Sequence, residues 1–242
     1  MDTTSPAAPA IVLAPGHWLG AWAWAAVAAD LRGRGHCVAA VTLPGLEPED
    51  PNRGSTTVGQ QADALRSAVD TAAAGGVEVV LVAHSGAGCP TSVLLDRDPG
   101  AVSRVVYVDS GPSANGSSFD SSVPTETGEV PLPPFEQLTA SLEGLTEQDL
   151  ARFRERAVPE PASVVRATVH LTNDARRDVP STIIACSYPS TVMMQMAHDG
   201  HPMMAEVATL RDLELIDLPT GHWPMWSRPA DLAAAISDAA KQ

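Results

Sequence analysis

The chain is predicted to be an α/β protein: a mostly parallel six-stranded sheet with helices on both faces, and a small helical cap inserted between strands four and five. Three observations predict this. Short apolar runs alternate with segments of helical period, the rhythm of βαβ units. The runs are apolar almost throughout rather than at every second residue, as in strands covered on both faces. One connection, residues 111–180, is far longer than a crossover needs.

Residues 1–9 are small, polar and proline-containing, and are expected to form a disordered tail ahead of the folded region, residues 10–242. The first strand is A-I-V-L-A at residues 10–14, closed by Pro15-Gly16. Residues 20–34 read as a helix, with Trp24, Val27, Ala28 and Leu31 on one face and Gly33/Gly35 at its end. The second strand covers residues 38–43 and stops at Pro44-Gly45; Ser55 or Thr57 then caps a helix that runs to about residue 74. The third strand, residues 77–83, meets Ser85 and a helix to about residue 96, with Pro90 tolerated in its first turn. The fourth, fifth and sixth strands are read at residues 103–109, 181–187 and 213–218, and a helix over residues 229–240 closes the chain. Within the cap, residues 112–134 are Ser, Pro and Gly rich and expected to be loop; helical patterns occupy residues 135–142, 147–156 and 162–171.

The bulk properties narrow the partners. A hydrophobic content of 44% and a charged content of 18% are ordinary for a folded soluble chain. A formal net charge of -14 argues against nucleic acid and anionic membranes, which would repel it. Cys37, Cys89 and Cys186 are odd in number and far apart, so neither a disulfide framework nor a C-x-x-C metal pattern is present. No secretory signal is read at the N-terminus and no apolar run of spanning length is present, so a cytoplasmic location is expected. The expected partner is a small-molecule substrate, with a homodimer left open.

In an open parallel sheet, ligands bind beyond the carboxyl ends of the strands. Pro15-Gly16-His17-Trp18 follows the first strand, His84-Ser85-Gly86 the third, Asp109 the fourth and Gly221-His222-Trp223 the sixth. A serine between small residues at a strand-to-helix turn has its hydroxyl pushed out over the sheet edge, and the order Ser, Asp, His is the order in which this architecture places a catalytic triad. A serine hydroxyl needs an imidazole to take its proton, and the imidazole needs a carboxylate on its far nitrogen. The anionic intermediate needs N–H donors; Gly86, at the positive end of the following helix, and His17 supply them. The bland reading of Ser85, a helix cap, accounts for none of the other residues.

The combination of P-G-H-W-L-G-A-W-A-W, A-H-S-G-A, Y-V-D-S-G-P and P-T-G-H-W-P resembles the α/β-hydrolase fold superfamily, and within it the small serine esterase branch that includes plant methylesterases and hydroxynitrile lyases. The resemblance covers the chain apart from the cap. It implies Ser85 as nucleophile, His222 as base, and the backbone N–H groups of His17 and Gly86 as the oxyanion hole, with no cofactor and no metal. In those relatives the acid follows the fifth strand, where this chain has Tyr188-Pro189-Ser190-Thr191. Other members of the fold take it from the end of the fourth strand, where Asp109 stands. Asp109 is the first candidate and Asp199 the second; Asp217, close to His222 in sequence, is expected to point elsewhere.

Trp18 and Trp223 adjoin these loops and are candidate pocket walls. Met193 and Met194, in a methionine cluster after the fifth strand, are read equally as core or as substrate pocket. His84 is read as a packed structural histidine. His198 and His201 are not read as metal ligands, since Gly200 and Pro202 argue against the helix that would pair them. The reading is an esterase or lactonase for a small to medium apolar molecule. A non-hydrolytic enzyme on the same scaffold (lyase, cyclase or cofactor-free oxygenase) and a low-turnover ligand-binding protein stay open. Trp223 and Gly16 stand where the lyases of that branch carry Lys and Thr, which disfavours cyanohydrin cleavage.

Overall fold

The computed structural model describes residues 8–242; the tail expected over residues 1–9 lies, as far as residue 7, outside the described residues. The strands are β1 (Ala10–Ala14), β2 (Val38–Ala40), β3 (Val79–His84), β4 (Arg104–Val108), β5 (Glu129–Val130), β6 (Glu160–Pro161), β7 (Ser181–Ala185) and β8 (Leu213–Asp217). The helices are α1 (Ala25–Gly33), α2 (Val58–Ala72), α3 (Gly88–Arg97), α4 (Glu147–Arg156), α5 (Ala162–Val165), α6 (Ser190–His198), α7 (Pro224–Ser227) and α8 (Pro229–Ala239). Six strands form one sheet in the order β2-β1-β3-β4-β7-β8, while β5 and β6 pair as a separate antiparallel ribbon. Every pairing in the large sheet is parallel.

Alternation along the strands divides the core into two apolar layers. Ile11, Leu13, Val80, Val82, Val106 and Val108 face one side, with Val27 and Leu31 of α1 and Leu232 and Ile236 of α8. Val12, Leu81, Ala83, Val105 and Tyr107 face the other, with Leu65 and Val69 of α2 and Leu94 and Leu95 of α3. Burying each large aliphatic side chain stabilises by about 1.5–3 kcal/mol, so both faces of the central strands hold the sheet. The chain leaves β1 for β2 on one side and β3 on the other. That reversal opens the crevice where ligands bind in such sheets.

The local code explains several boundaries. Thr57 accepts the Gln60 N–H while the Gln60 side chain bonds back to the Thr57 N–H, a capping box that starts α2. The helix expected over residues 20–34 begins as a 3-10 turn, Ala21–Trp24, whose leading N–H, on Ala21, donates to the Thr42 hydroxyl oxygen at 3.0 Å. Further differences lie elsewhere. The helix expected over residues 162–171 stops at Val165, because the Val169 N–H bonds to the Ser117 carbonyl and the Leu171 N–H to Asn115 instead of to its own turn. Nothing in the sequence predicts the β5–β6 ribbon. Residues 190–198 form α6, whose N-terminus is capped from outside: Asp217 accepts both the N–H and the hydroxyl of Ser190.

Candidate active site

Parallel register builds the site. His84 pairs with Val108, and Val108 with Ile184, so the next residues of β3 and β4, Ser85 and Asp109, emerge side by side at one edge. Both leave their strands with positive φ, 49° and 42°, and Trp18 after β1 adds a third at 65°. Such conformations cost non-glycine residues about 1–3 kcal/mol each and persist only where the surroundings fix them. Here the Ser110 hydroxyl donates to the Ser85 carbonyl at 2.6 Å and the Asp109 N–H to the Ile184 carbonyl at 2.9 Å. Gly16 must lack a side chain: a Cβ there would lie 2.6 Å from that of Ser85.

His222 reaches back from the loop after β8. Its Nε2 lies 2.8 Å from Ser85 Oγ and its Nδ1 2.5 Å from Asp109 Oδ2. The His222 N–H donates to the Ser141 carbonyl at 2.8 Å, and Gly221 fits only without a Cβ, which would meet that same carbonyl at 2.4 Å. Asp109 Oδ1 accepts the N–H groups of Cys186 and Ser187 at 3.1 and 2.9 Å, and Oδ2 also accepts the Ser187 hydroxyl at 2.6 Å. Burial opposes the Asp109 charge, but the His222 and Ser187 hydrogen bonds outweigh it and hold the carboxyl down at about 2. An ionised carboxylate on Nδ1 fixes the tautomer whose bare Nε2 can accept the serine proton.

The other sequence candidates fall in different places. Asp199 is exposed and accepts a hydrogen bond from Gln195, and Asp217 serves as the α6 cap. Met193 is buried in the layer beneath β1, β3 and β4, with the partly buried Met194 packed against it. Trp223 is buried against Phe153 and stands edge-on to His222, buttressing the imidazole. Trp18 is partly buried, with its indole N–H donated to the Val130 carbonyl at 3.1 Å. A cavity of about 10 Å³ lies beside Gly16, His17, Gly86 and Glu160. His198 and His201 bond to nearby backbone; among the described residues no three His, Cys, Asp or Glu side chains are grouped to hold a metal ion. Among the described residues no helix is long and apolar enough to cross a membrane.

The N–H groups of His17 and Gly86 have no protein acceptor among the described residues. Gly86 lies in the first turn after β3, whose leading N–H groups have no intrahelical partner.

Sequence reading missed how His84 works. Its Nδ1 accepts the Gly16 N–H at 3.3 Å, so the proton sits on Nε2, which donates to the His222 carbonyl at 2.7 Å. One buried ring thus ties the loop after β1 to the loop carrying His222. Burial first, and the neighbouring His222 second, push its proton affinity down from 6.5 to about 3. The unfolded chain takes up this proton as pH falls below 6.5 while the folded protein does not. The stabilising contribution is therefore complete above about 6.5 and is lost as pH falls toward 3. Asp109 adds a second loss, between its ordinary 3.8 and about 2. The urea midpoint is expected to fall steadily from pH 7 to pH 4, and His84→Gln to flatten that slope. An equal slope in the variant would remove His84 as the source.

The sequence profile of the alpha/beta hydrolase family matches residues 11–235. The chain is 28% identical over 249 residues to a probable hydrolase, R7, of Phoma sp., covering 96% of this chain and 98% of that one. It is 26% identical over 254 residues to methylesterase 7 of Arabidopsis thaliana, covering 95% of each. Among solved structures, the methylesterase MES16 of Arabidopsis superposes with a TM-score of 0.75 at 19% identity, over 96% of this chain and 99% of that one. At that identity the superposition speaks for the fold alone.

Proposed function

Because the chain belongs to the alpha/beta hydrolase family, we propose that it is a cofactor-independent serine hydrolase that cleaves an ester or lactone of a small to medium apolar molecule. Ser85 is the nucleophile, His222 the general base and then acid, Asp109 the carboxylate partner, and the N–H groups of His17 and Gly86 the oxyanion donors. The observation that carries this reading is the unbroken series from Ser85 Oγ through the His222 ring to Asp109 Oδ2, at 2.8 and 2.5 Å. The esterase and methylesterase names among its relatives agree with the reaction type.

In the proposed sequence, Ser85 Oγ bonds to the carbonyl carbon as its proton moves to His222 Nε2. The carbonyl oxygen takes the negative charge between the His17 and Gly86 N–H groups, and loss of one such donor costs about 100–1000-fold in rate. Collapse of the intermediate breaks the C–O bond, and His222 returns the proton to the departing alkoxide. Water, deprotonated by His222, then releases the acid and regenerates Ser85. The half-buried His222 side chain, 24% exposed, leaves water a route to this second step.

Product analysis tests the reaction. A panel of p-nitrophenyl acyl esters, methyl esters and lactones, turned over in ¹⁸O-water, is expected to yield carboxylic acid bearing one solvent oxygen, equimolar with any alcohol released. A carbonyl product from carbon–carbon cleavage, or no turnover of any member, would count against hydrolysis.

A further inference from the structure

The loop that carries His17 is held from outside the sheet by the β5–β6 ribbon and the residues leading into it, and the Phe119 ring stands edge-on to His17 at 4.4 Å. The Val158 N–H donates to the Trp18 carbonyl at 3.0 Å, and the Trp18 indole N–H to the Val130 carbonyl at 3.1 Å. Glu160 does most: its Oε2 accepts the Trp18 N–H at 3.2 Å and faces His17 Nδ1 at 3.1 Å. The pair is buried, with His17 8% exposed and Glu160 2%. A carboxylate taken this far from water is costly unless it is fully hydrogen-bonded, so its place depends on these donors as theirs depends on it. On the other side, the His17 ring is wedged over Gly86, where a Cβ would come within 2.4 Å of Nε2.

These contacts bracket one peptide. Gly16 is fixed through its N–H on His84, and Trp18 is fixed through three contacts to the ribbon, in a left-handed conformation it would not keep unaided. Between them, the His17 N–H is the group without a protein acceptor among the described residues. We propose that Glu160 is a positioning residue for the oxyanion hole: by holding the His17 ring and the Trp18 N–H together, it sets the direction of the His17 N–H toward the reacting carbonyl oxygen. The inference rests on the ester-hydrolase reading, in which His17 is an oxyanion donor. It makes the ribbon between β4 and β7 part of the catalytic machinery and not merely its cover. No proton or bond moves at Glu160; it acts through the geometry of its neighbour.

Glu160→Ala and Glu160→Gln test this in the full-length protein. A misaimed donor weakens the transition state more than the bound substrate, so kcat is expected to fall about 10–100-fold in Glu160→Ala, with KM within about twofold. Affinity for a trifluoromethyl ketone, which becomes a tetrahedral oxyanion on Ser85, is expected to fall by the same factor. Glu160→Gln keeps an amide oxygen for one donor and is expected to lie between the two proteins, which serves if the alanine variant does not fold. Unchanged kcat and unchanged ketone affinity in either folded variant would overturn the proposal, as would a loss confined to KM. The labelling rate of the wild-type protein by a fluorophosphonate separates the two levels. Absence of any Ser85 adduct in the wild type would defeat the hydrolase reading, whereas equal labelling rates in wild type and variants would defeat only the role of Glu160.

Discussion

Ser85→Ala is expected to lower kcat for ester hydrolysis by about 10⁶-fold, to the level left by binding and the oxyanion donors, while the fold stays intact. The size of the effect follows from chemistry. Without Oγ no acyl-enzyme can form, and His222 has no proton to accept at the site where the carbonyl carbon waits. The fold is expected to survive because an alanine methyl occupies the place of the serine Cβ, and because the bond that fixes the turn, from the Ser110 hydroxyl, goes to the backbone carbonyl of residue 85. Removing a positive-φ residue's hydroxyl gives no relief of backbone strain, so urea midpoints of the two proteins should agree closely. Turnover of a p-nitrophenyl ester, measured after active-site titration of the wild type, checks the prediction; retention of more than a few per cent of activity would contradict it.

Much of this architecture was legible in the sequence because it is local. The six strands of the sheet are short runs ended by proline, glycine or a change of period, and all six lie within a few residues of where the sequence puts them. The start of α2 could be read as far as Ser55 or Thr57; the structure makes it Thr57, whose capping box with Gln60 is contained in four residues. What could not be read is what depends on distant partners. The cap of α6 is Asp217, 27 positions from Ser190, so a methionine-rich stretch to which the sequence assigns no element folds as a helix. The β5–β6 ribbon consists of two-residue strands bounded by proline, with no periodicity to reveal them. The chemistry-bearing residues divide in the same way. Ser85 and His222 stand in recognisable turns, and Asp109 ends a strand. By contrast Glu160, between Pro159 and Pro161, bears no mark in the sequence of its contact with His17. Ser187 likewise shows nothing of its bond to Asp109 until the strands are side by side.

Asp109→Asn is expected to lower kcat by about 10⁴-fold without disturbing the fold. The backbone N–H groups of Cys186 and Ser187 both donate to Oδ1, so an asparagine here must place its carbonyl oxygen there. Its NH2 group then replaces Oδ2 and donates to His222 Nδ1, which moves the imidazole proton onto Nε2. In that tautomer His222 can no longer accept from Ser85, and the charge that stabilises the imidazolium is also gone. Asp199→Asn changes an exposed side chain bonded to Gln195 and should leave kcat within about twofold. The most direct test of the Ser85–His222–Asp109 assignment is therefore kcat/KM of these two variants on one ester at pH 7.5. A loss of about 10⁴-fold is expected for Asp109→Asn alone; near-wild-type activity in Asp109→Asn, with the loss in Asp199→Asn instead, would contradict the assignment.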